Sequence, residues 1–371
     1  MHFSLLAAPA AAAALFTTTA FALALPNPPN PNGNSPSLSA ATLASSLIST
    51  FPDKSLALLP SPFWWWQSGL ALDGLITYTH ISGDASHADL LAHTLQTQAT
   101  PSNDFMTPDA TGNDDQAWWA LAALSAAEYG IPQPGGSVSW INLAQNVFNE
   151  QKGRWDMSRC GGGMKWKISE QPDPIGFHYK SSIANGLFFQ LAARLARFTG
   201  DAGALEMADK SWDWMVSVGL IDGQFNVFDG TDDSKGAGCV DVNHNLWSYN
   251  TGVFLYGASI MFDKTNDPKW KDRANGLLSA TQRNFVKDGK LWEGKCEGDR
   301  SCNTDQVSFK ASLARWMGAS AALVPELGDG VKGVLGSAAG AYQAIILVIC
   351  PIKYWNMTKE RPWGTGIEHG R

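Results

Sequence analysis

The chain has 371 residues, 44% hydrophobic and 16% charged, which is enough apolar material for a large core in one or two domains. Its net charge of −7 argues against nucleic acid or an anionic membrane as the main partner. Sixteen tryptophans are many for this length; most belong in a core, and a minority fit a cleft where flat rings stack on ligand faces.

Residues 3–25 carry no charge, and the apolar stretch runs from Leu5 to Phe16. Ala20-Phe21-Ala22 and Ala22-Leu23-Ala24 are small-x-small cleavage sites, Pro9 breaks the run, and prolines from Pro26 to Pro31 follow it. This predicts a signal peptide over 1–24 rather than a membrane anchor, then a Pro-rich leader over 25–36 and a secreted product. Apolar residues recurring at three and four predict helices over 38–51, 64–79, 87–96, 115–129, 139–151, 181–198, 202–218, 246–261, 268–285 and 304–317. Gly83-Asp84 and Gly200-Asp201 read as signals that end one helix and cap the next. Segments 224–228 and 290–293 are candidate short strands. About ten helices in antiparallel pairs, with long polar loops after alternate ones, predict an all-α toroid. After about 325 the pattern changes. Residues 333–350 are uncharged and apolar toward their end, and read as a packed helix in preference to a membrane span. Residues 37–325 are therefore expected to form the main domain and 326–371 a divergent tail.

Five cysteines, Cys160, Cys239, Cys296, Cys302 and Cys350, suit disulfides in an exported chain. Cys296 and Cys302 bracket a short polar loop and are the first expected pair. Cys160 with Cys239 is the next, leaving Cys350 over; spacing alone does not settle the connectivity. No C-x-x-C and no nearby histidine pair supports zinc, and no metal or cofactor is expected. Asp241-Val242-Asn243-His244-Asn245 has the first spacings of a calcium loop but lacks its glycine and glutamate. Asn356-Met357-Thr358 is the glycosylation sequon.

The chemistry concentrates in Asn113-Asp114-Asp115-Gln116-Ala117-Trp118-Trp119, two acids opening an apolar helix with two indoles one turn behind. The structural reading is a capping box, with Asn113 as N-cap, Gln116 as its partner and the acids favoured by the helix dipole. In the catalytic reading, neighbouring carboxyls supply the roughly 5–5.5 Å separation of retaining glycosidases. Backbone amides keep one ionised, while burial against indole and mutual repulsion keep the other protonated. A third acid on the same face, needed for diphosphate chemistry, is missing.

This segment resembles the catalytic stretch of glycoside hydrolase family 76, the endo-α-1,6-mannanases. Phe63-Trp64-Trp65-Trp66-Gln67-Ser68-Gly69, Cys160-Gly161-Gly162-Gly163-Met164-Lys165-Trp166, Tyr179-Lys180-Ser181-Ser182-Ile183-Ala184-Asn185-Gly186, Trp247-Ser248-Tyr249-Asn250-Thr251-Gly252 and Cys302-Asn303-Thr304-Asp305-Gln306 resemble its fungal cell-wall branch. The similarity runs in order from about Leu38 to Leu323, and the tail departs from the pattern. The resemblance implies an (α/α)6 barrel and a retaining mechanism, with Asp114 as nucleophile and Asp115 as acid/base. It also implies Asp229 as a cleft carboxylate, and Trp65, Trp118, Trp166, Asn185, Asp305 and Gln306 as substrate contacts. The expected partner is α-1,6-mannan or a mannose-containing anchor glycan, with β-glucan as acceptor, handled by a monomer at the cell wall or the outer face of the plasma membrane. The rival expectation is a glycan-binding wall protein that has lost turnover.

Overall fold

The structure is a computed structural model that describes residues 40–172, 174–235 and 238–341. The expected signal peptide, the leader, Cys350 and Asn356 lie outside the described residues. Eleven α-helices are described: α1 (Ala40–Ser49), α2 (Trp65–Ser82), α3 (Ala88–Gln98), α4 (Asn113–Glu128), α5 (Trp140–Gly153), α6 (Ser182–Thr199), α7 (Ala202–Ser217), α8 (Ser248–Thr265), α9 (Pro268–Phe285), α10 (Gln306–Leu323) and α11 (Gly328–Ala341). Each predicted helix is present, with ends displaced by a few residues. Asp201 caps α7 as expected, accepting from the amides of Gly203 and Ala204. Asp84 does not cap α3: it bonds the Ser86 amide in a turn, and the helix opens after His87.

Side-chain pattern sorts the helices into two layers. The even-numbered helices α4, α6 and α8 are buried on nearly every side, whereas α5, α7 and α9 bury one stripe and expose the other. The even helices form an inner ring in which α2, α4, α6, α8 and α10 touch in that order and α10 returns to α2. The odd helices pack outside. Since each inner helix follows an outer one, all inner helices start at the same end of the toroid.

The return from α10 to α2 is made largely by side chains. Arg315 of α10 pairs with Asp73 of α2 and donates to Thr77 Oγ1 at 3.3 Å. Gln67 Nε2 donates to Thr304 O at 3.0 Å and Ser308 Oγ at 3.1 Å. A stack of indoles runs through the centre: Trp66 on Trp118 at 5.1 Å between ring centres, and Trp118 on Trp316 at 5.6 Å. On another flank, the fully buried Arg194 of α6 is held wholly by α4. Its guanidinium reaches Glu128 at 2.8 and 3.2 Å and Ser125 Oγ at 2.7 Å.

A small antiparallel sheet crosses the starting end of the ring, with strands β1 (Tyr179–Ser181), β2 (Phe228–Asp232) and β3 (Val242–Leu246) in that order. A two-stranded hairpin joins β4 (Val286–Lys287) to β5 (Lys290–Leu291). The expected strand at 224–228 begins only at its last residue, because Asp222 folds 222–226 into a turn by accepting from the Gln224 and Asn226 amides. Both expected disulfides form, Cys160–Cys239 with Cα atoms 5.5 Å apart and Cys296–Cys302 at 4.7 Å. The first ties the Gly-rich loop 154–166 to the turn after β2. Lys180, fully buried, tightens that loop by donating to the carbonyls of Asp156, Arg159 and Gly162. Helix α11 packs on α9, α10 and β5, burying Val331, Val334 and Leu335.

Because Arg194 has no route to water, Glu128→Ala strands a charge in the wall between α4 and α6. Denaturant unfolding of that variant is expected to show a loss of about 3 kcal/mol or more. A loss below about 1 kcal/mol would mean that the guanidinium finds solvent.

Candidate active site

The site begins with how α4 starts. Its N-cap is Gly112, one residue earlier than the expected Asn113. The reason is Asp115, whose Oδ2 accepts from the Gly112 amide at 2.8 Å, the Thr111 amide at 3.1 Å and Thr111 Oγ1 at 3.3 Å. The second acid thus closes the capping box itself. Gln116 is released to bond Glu150 at 2.7 Å and Arg154 at 2.7 Å. Residues 111–113 pair antiparallel with 166–168: Asn113 N donates to Trp166 O at 2.8 Å, and Ile168 N donates to Thr111 O at 3.0 Å. In such an extended pair, alternate residues face opposite ways.

Trp166 reaches the first acid, its Nε1 donating to Asp114 Oδ2 at 2.9 Å. Asp114 Oδ1 is sealed from solvent and has no hydrogen-bond partner. Both carboxyls fold back over Gly112. A Cβ placed there would lie 2.2 Å from Asp114 Oδ1 and 3.3 Å from Asp115 Oδ2. The absence of a side chain is therefore required, and these two oxygens cannot be further apart than the roughly 5.5 Å of retaining glycosidases.

The surroundings separate the two acids electrostatically. Burial, then repulsion from Asp115, raises Asp114 to about 8, against the opposing pull of the Trp166 N–H and of the Asp114 and Asp115 amides. Burial also raises Asp115, but the amide of Gly112, the Thr111 groups and the Lys167 charge pull it back to about 6. These surroundings favour a pair that shares one proton, with Asp114 the preferred carrier.

The remaining site residues converge on the same end, at the first turns of the inner helices. Tyr249, at the start of α8, is raised well above the usual phenol range by burial and then by the charges of Asp229, Asp114 and Asp305. Asp229 on β2 accepts from Tyr179 Oη on β1 at 2.6 Å and Asn243 Nδ2 on β3 at 3.0 Å, and burial raises it. Gly230 makes this web possible, because a Cβ there would lie 2.6 Å from the Tyr179 ring. Asp305, half-buried and raised by that burial, accepts from Trp66 Nε1 at 3.1 Å. Among the described residues, no group of three or more His, Cys, Asp or Glu could hold a metal ion.

Several expected substrate contacts are used otherwise. Trp118, 3% exposed, stacks on both Trp66 and Trp316, which leaves it in the core beneath the cleft with no ring face to offer. The indole beside the acids is Trp166. Asn185 is fully buried and spends its amide on the Met164 amide and carbonyl and on Ser181 O, clamping the loop that carries Trp166. Gln306 caps its own helix by exchanging bonds with Asn303 at 2.9 and 3.0 Å. Trp65 remains partly exposed, stacked on Trp119 and bonded to Gln98. Tyr179, Asn243, Thr111 and Lys167 were not anticipated as site residues. Tyr179 opens one of the stretches that resemble the fungal branch, Asn243 stands in the calcium-like run, and no local motif marks Thr111 or Lys167.

A profile of glycosyl hydrolase family 76 matches residues 38–366. The chain belongs to glycosyl hydrolase family 76. The mannan endo-1,6-alpha-mannosidase DCW1 of Eremothecium gossypii is 39% identical over 292 residues, 76% of this chain and 63% of that protein. Its Saccharomyces cerevisiae counterpart is 37% identical over 77% of this chain and 64% of its own length, so the chain spans a little under two thirds of these relatives. The crystal structure of Dfg5 from Chaetomium thermophilum, in complex with glucosamine, superimposes with a TM-score of 0.77 at 35% identity, covering 81% of this chain and 77% of that one. The fold is the (α/α)6 barrel of family 76, with five inner helices among the described residues, the enzyme is a glycoside hydrolase, and the two disulfides fit an exported protein.

Two outcomes follow for this family 76 site. If the working state is the singly protonated pair, kcat/KM is bell-shaped, falling as pH drops through about 6 and again as it rises through about 8. A plateau extending well above pH 8 would contradict that state. Gly112→Ala displaces a flexible carboxyl rather than backbone. It is expected to leave the melting temperature nearly unchanged while lowering kcat by about 100-fold.

Proposed function

We propose that the protein is a retaining, endo-acting glycosidase or transglycosidase on α-1,6-linked mannose chains, working through the Asp114–Asp115 pair. The observation that carries this reading is the pair itself. Two adjacent carboxyls share one glycine's space, one is held by three donors and the other by a single indole, and they lie where the inner helices begin. The names of the relatives supply the sugar, since both are mannan endo-1,6-alpha-mannosidases.

In the double displacement, a carboxylate attacks the anomeric carbon as the neighbouring acid protonates the departing oxygen. The C1–O bond to the leaving chain breaks and a glycosyl ester forms. Water or a sugar hydroxyl then attacks the same anomeric carbon, the bond from C1 to the carboxylate breaks, and the incoming group gives up its proton to the same neighbour. The family resemblance makes Asp114 the nucleophile and Asp115 the acid/base. The surroundings of the pair favour the proton on Asp114, so attack by Asp114 requires its proton to pass to Asp115 as the glycan binds. The Trp166 N–H then stabilises the Asp114 anion. In this reading Asp229, oriented by Tyr179 and Asn243, binds sugar hydroxyls, with Asp305 and Trp65 as further substrate contacts. The product is a processed or cross-linked mannose-containing anchor glycan of the fungal wall, with β-glucan as the acceptor in the transfer mode. The enzyme acts outside the cell after secretion, as a monomer.

Incubation with α-1,6-mannan oligomers, with and without a glucan acceptor, tests this through product length and anomeric form. The first-formed product is expected to retain the α configuration, and Asp115→Asn is expected to lower turnover about 100- to 10,000-fold with the fold intact. A β-configured first product would contradict the mechanism. Binding without turnover would instead identify a glycan-binding protein.

A further inference from the structure

Lys167 sits in a position that the double displacement does not use. Pairing of 166–168 with 111–113 turns Trp166 toward Asp114 and carries Lys167 to Thr111, whose Oγ1 accepts from Lys167 Nζ at 3.2 Å. The same hydroxyl lies 3.3 Å from Asp115 Oδ2, and the Thr111 amide lies 3.1 Å from it. Lys165, two residues earlier, is neutralised by Asp233 at 2.6 Å and Asp156 at 4.0 Å. Among the described residues, Lys167 has no carboxylate within 4.0 Å, and its ammonium also lies 5.2 Å from the centre of the Trp166 ring. One short segment thus addresses both acids separately, an indole N–H to one and an ammonium, through a hydroxyl, to the other.

We infer that Lys167 is a positioning residue, which through Thr111 adds to the preference for Asp115 as the anionic member of the pair. The Gly112 amide and Thr111 donate to Asp115 directly, and Lys167 adds a charge behind them. Asp114, on the same helix, is itself an acid. Tyr249 at the start of α8 is held neutral by burial and by the charges of Asp229, Asp114 and Asp305, which are themselves acids. Lys167 is the cation whose charge reaches Asp115, and its effect runs in the stabilising direction for the anion. Being partly exposed, it acts through a screened field, so salt should weaken it.

The inference rests on the proposed dyad chemistry, and the experiment separates the two. Carboxyl-carbon NMR titration of the unliganded protein, assigned with Asp114→Asn and Asp115→Asn, reads Asp115 directly and needs no substrate. Lys167→Met is expected to move its midpoint up by about half to one pH unit, and Lys167→Arg to restore it. Thr111→Val should move it the same way, and the double variant no further than the larger single one, since both remove one chain of contacts. In the pH profile of kcat/KM, the acid limb moves up by the same amount while the alkaline limb stays. An unmoved midpoint in Lys167→Met, or failure of Lys167→Arg to restore it, overturns the inference. A shifted midpoint in a protein with no turnover on any mannan would leave it standing and sink the proposed reaction instead.

Discussion

The Asp115 carboxylate bonding back onto the Gly112 amide is the contact on which the site depends. It starts α4 one residue early, brings both acids over a residue without a side chain, and holds one acid in a nest of donors while the other is left to an indole. A capping interaction worth about 1 kcal/mol to a helix is here also what divides the two proton affinities. The helix dipole at this turn favours the anion on the same side.

The barrel serves this arrangement by direction. Inner helices that all begin at one end bring Asp114, Asn185, Tyr249, Asp305 and Trp65 together from separate parts of the chain. The crossing sheet adds Asp229, Tyr179 and Asn243. The loop bearing Trp166 is fixed three ways, by the Cys160–Cys239 bridge, by Lys180 beneath it and by the Asn185 clamp on Met164. A residue that orients an acid needs that rigidity, since small displacements at a reacting centre cost large factors in rate.

Long helical periods, the adjacent acids and the spacing of Cys296 and Cys302 were legible in the sequence because each is a local pattern. The three-stranded sheet was not, since β1 has three residues and shows no alternation. Trp118 looked like a cleft residue from its i+4 relation to Asp114. Its burial is decided by Trp66 and Trp316, contributed by two other helices. Asn185 carried a matching motif but spends its amide on backbone, which no one-dimensional pattern reveals. Thr111 and Lys167, 56 residues apart, meet through the backbone pairing of two irregular segments, a contact with no periodicity to announce it. The start of α4 differs from the expected one for a related reason, because Asn113 is a good cap by type but its side chain is taken by Lys165 O and Arg154.

The central claim is that neighbouring acids in this cleft hold unlike protonation states. Neutron diffraction from deuterated crystals of the empty enzyme near pH 7 reads it directly. Nuclear density for one deuteron on Asp114 and none on Asp115 is the predicted picture. A deuteron on each, or on neither, would contradict the division of labour on which the whole account is built.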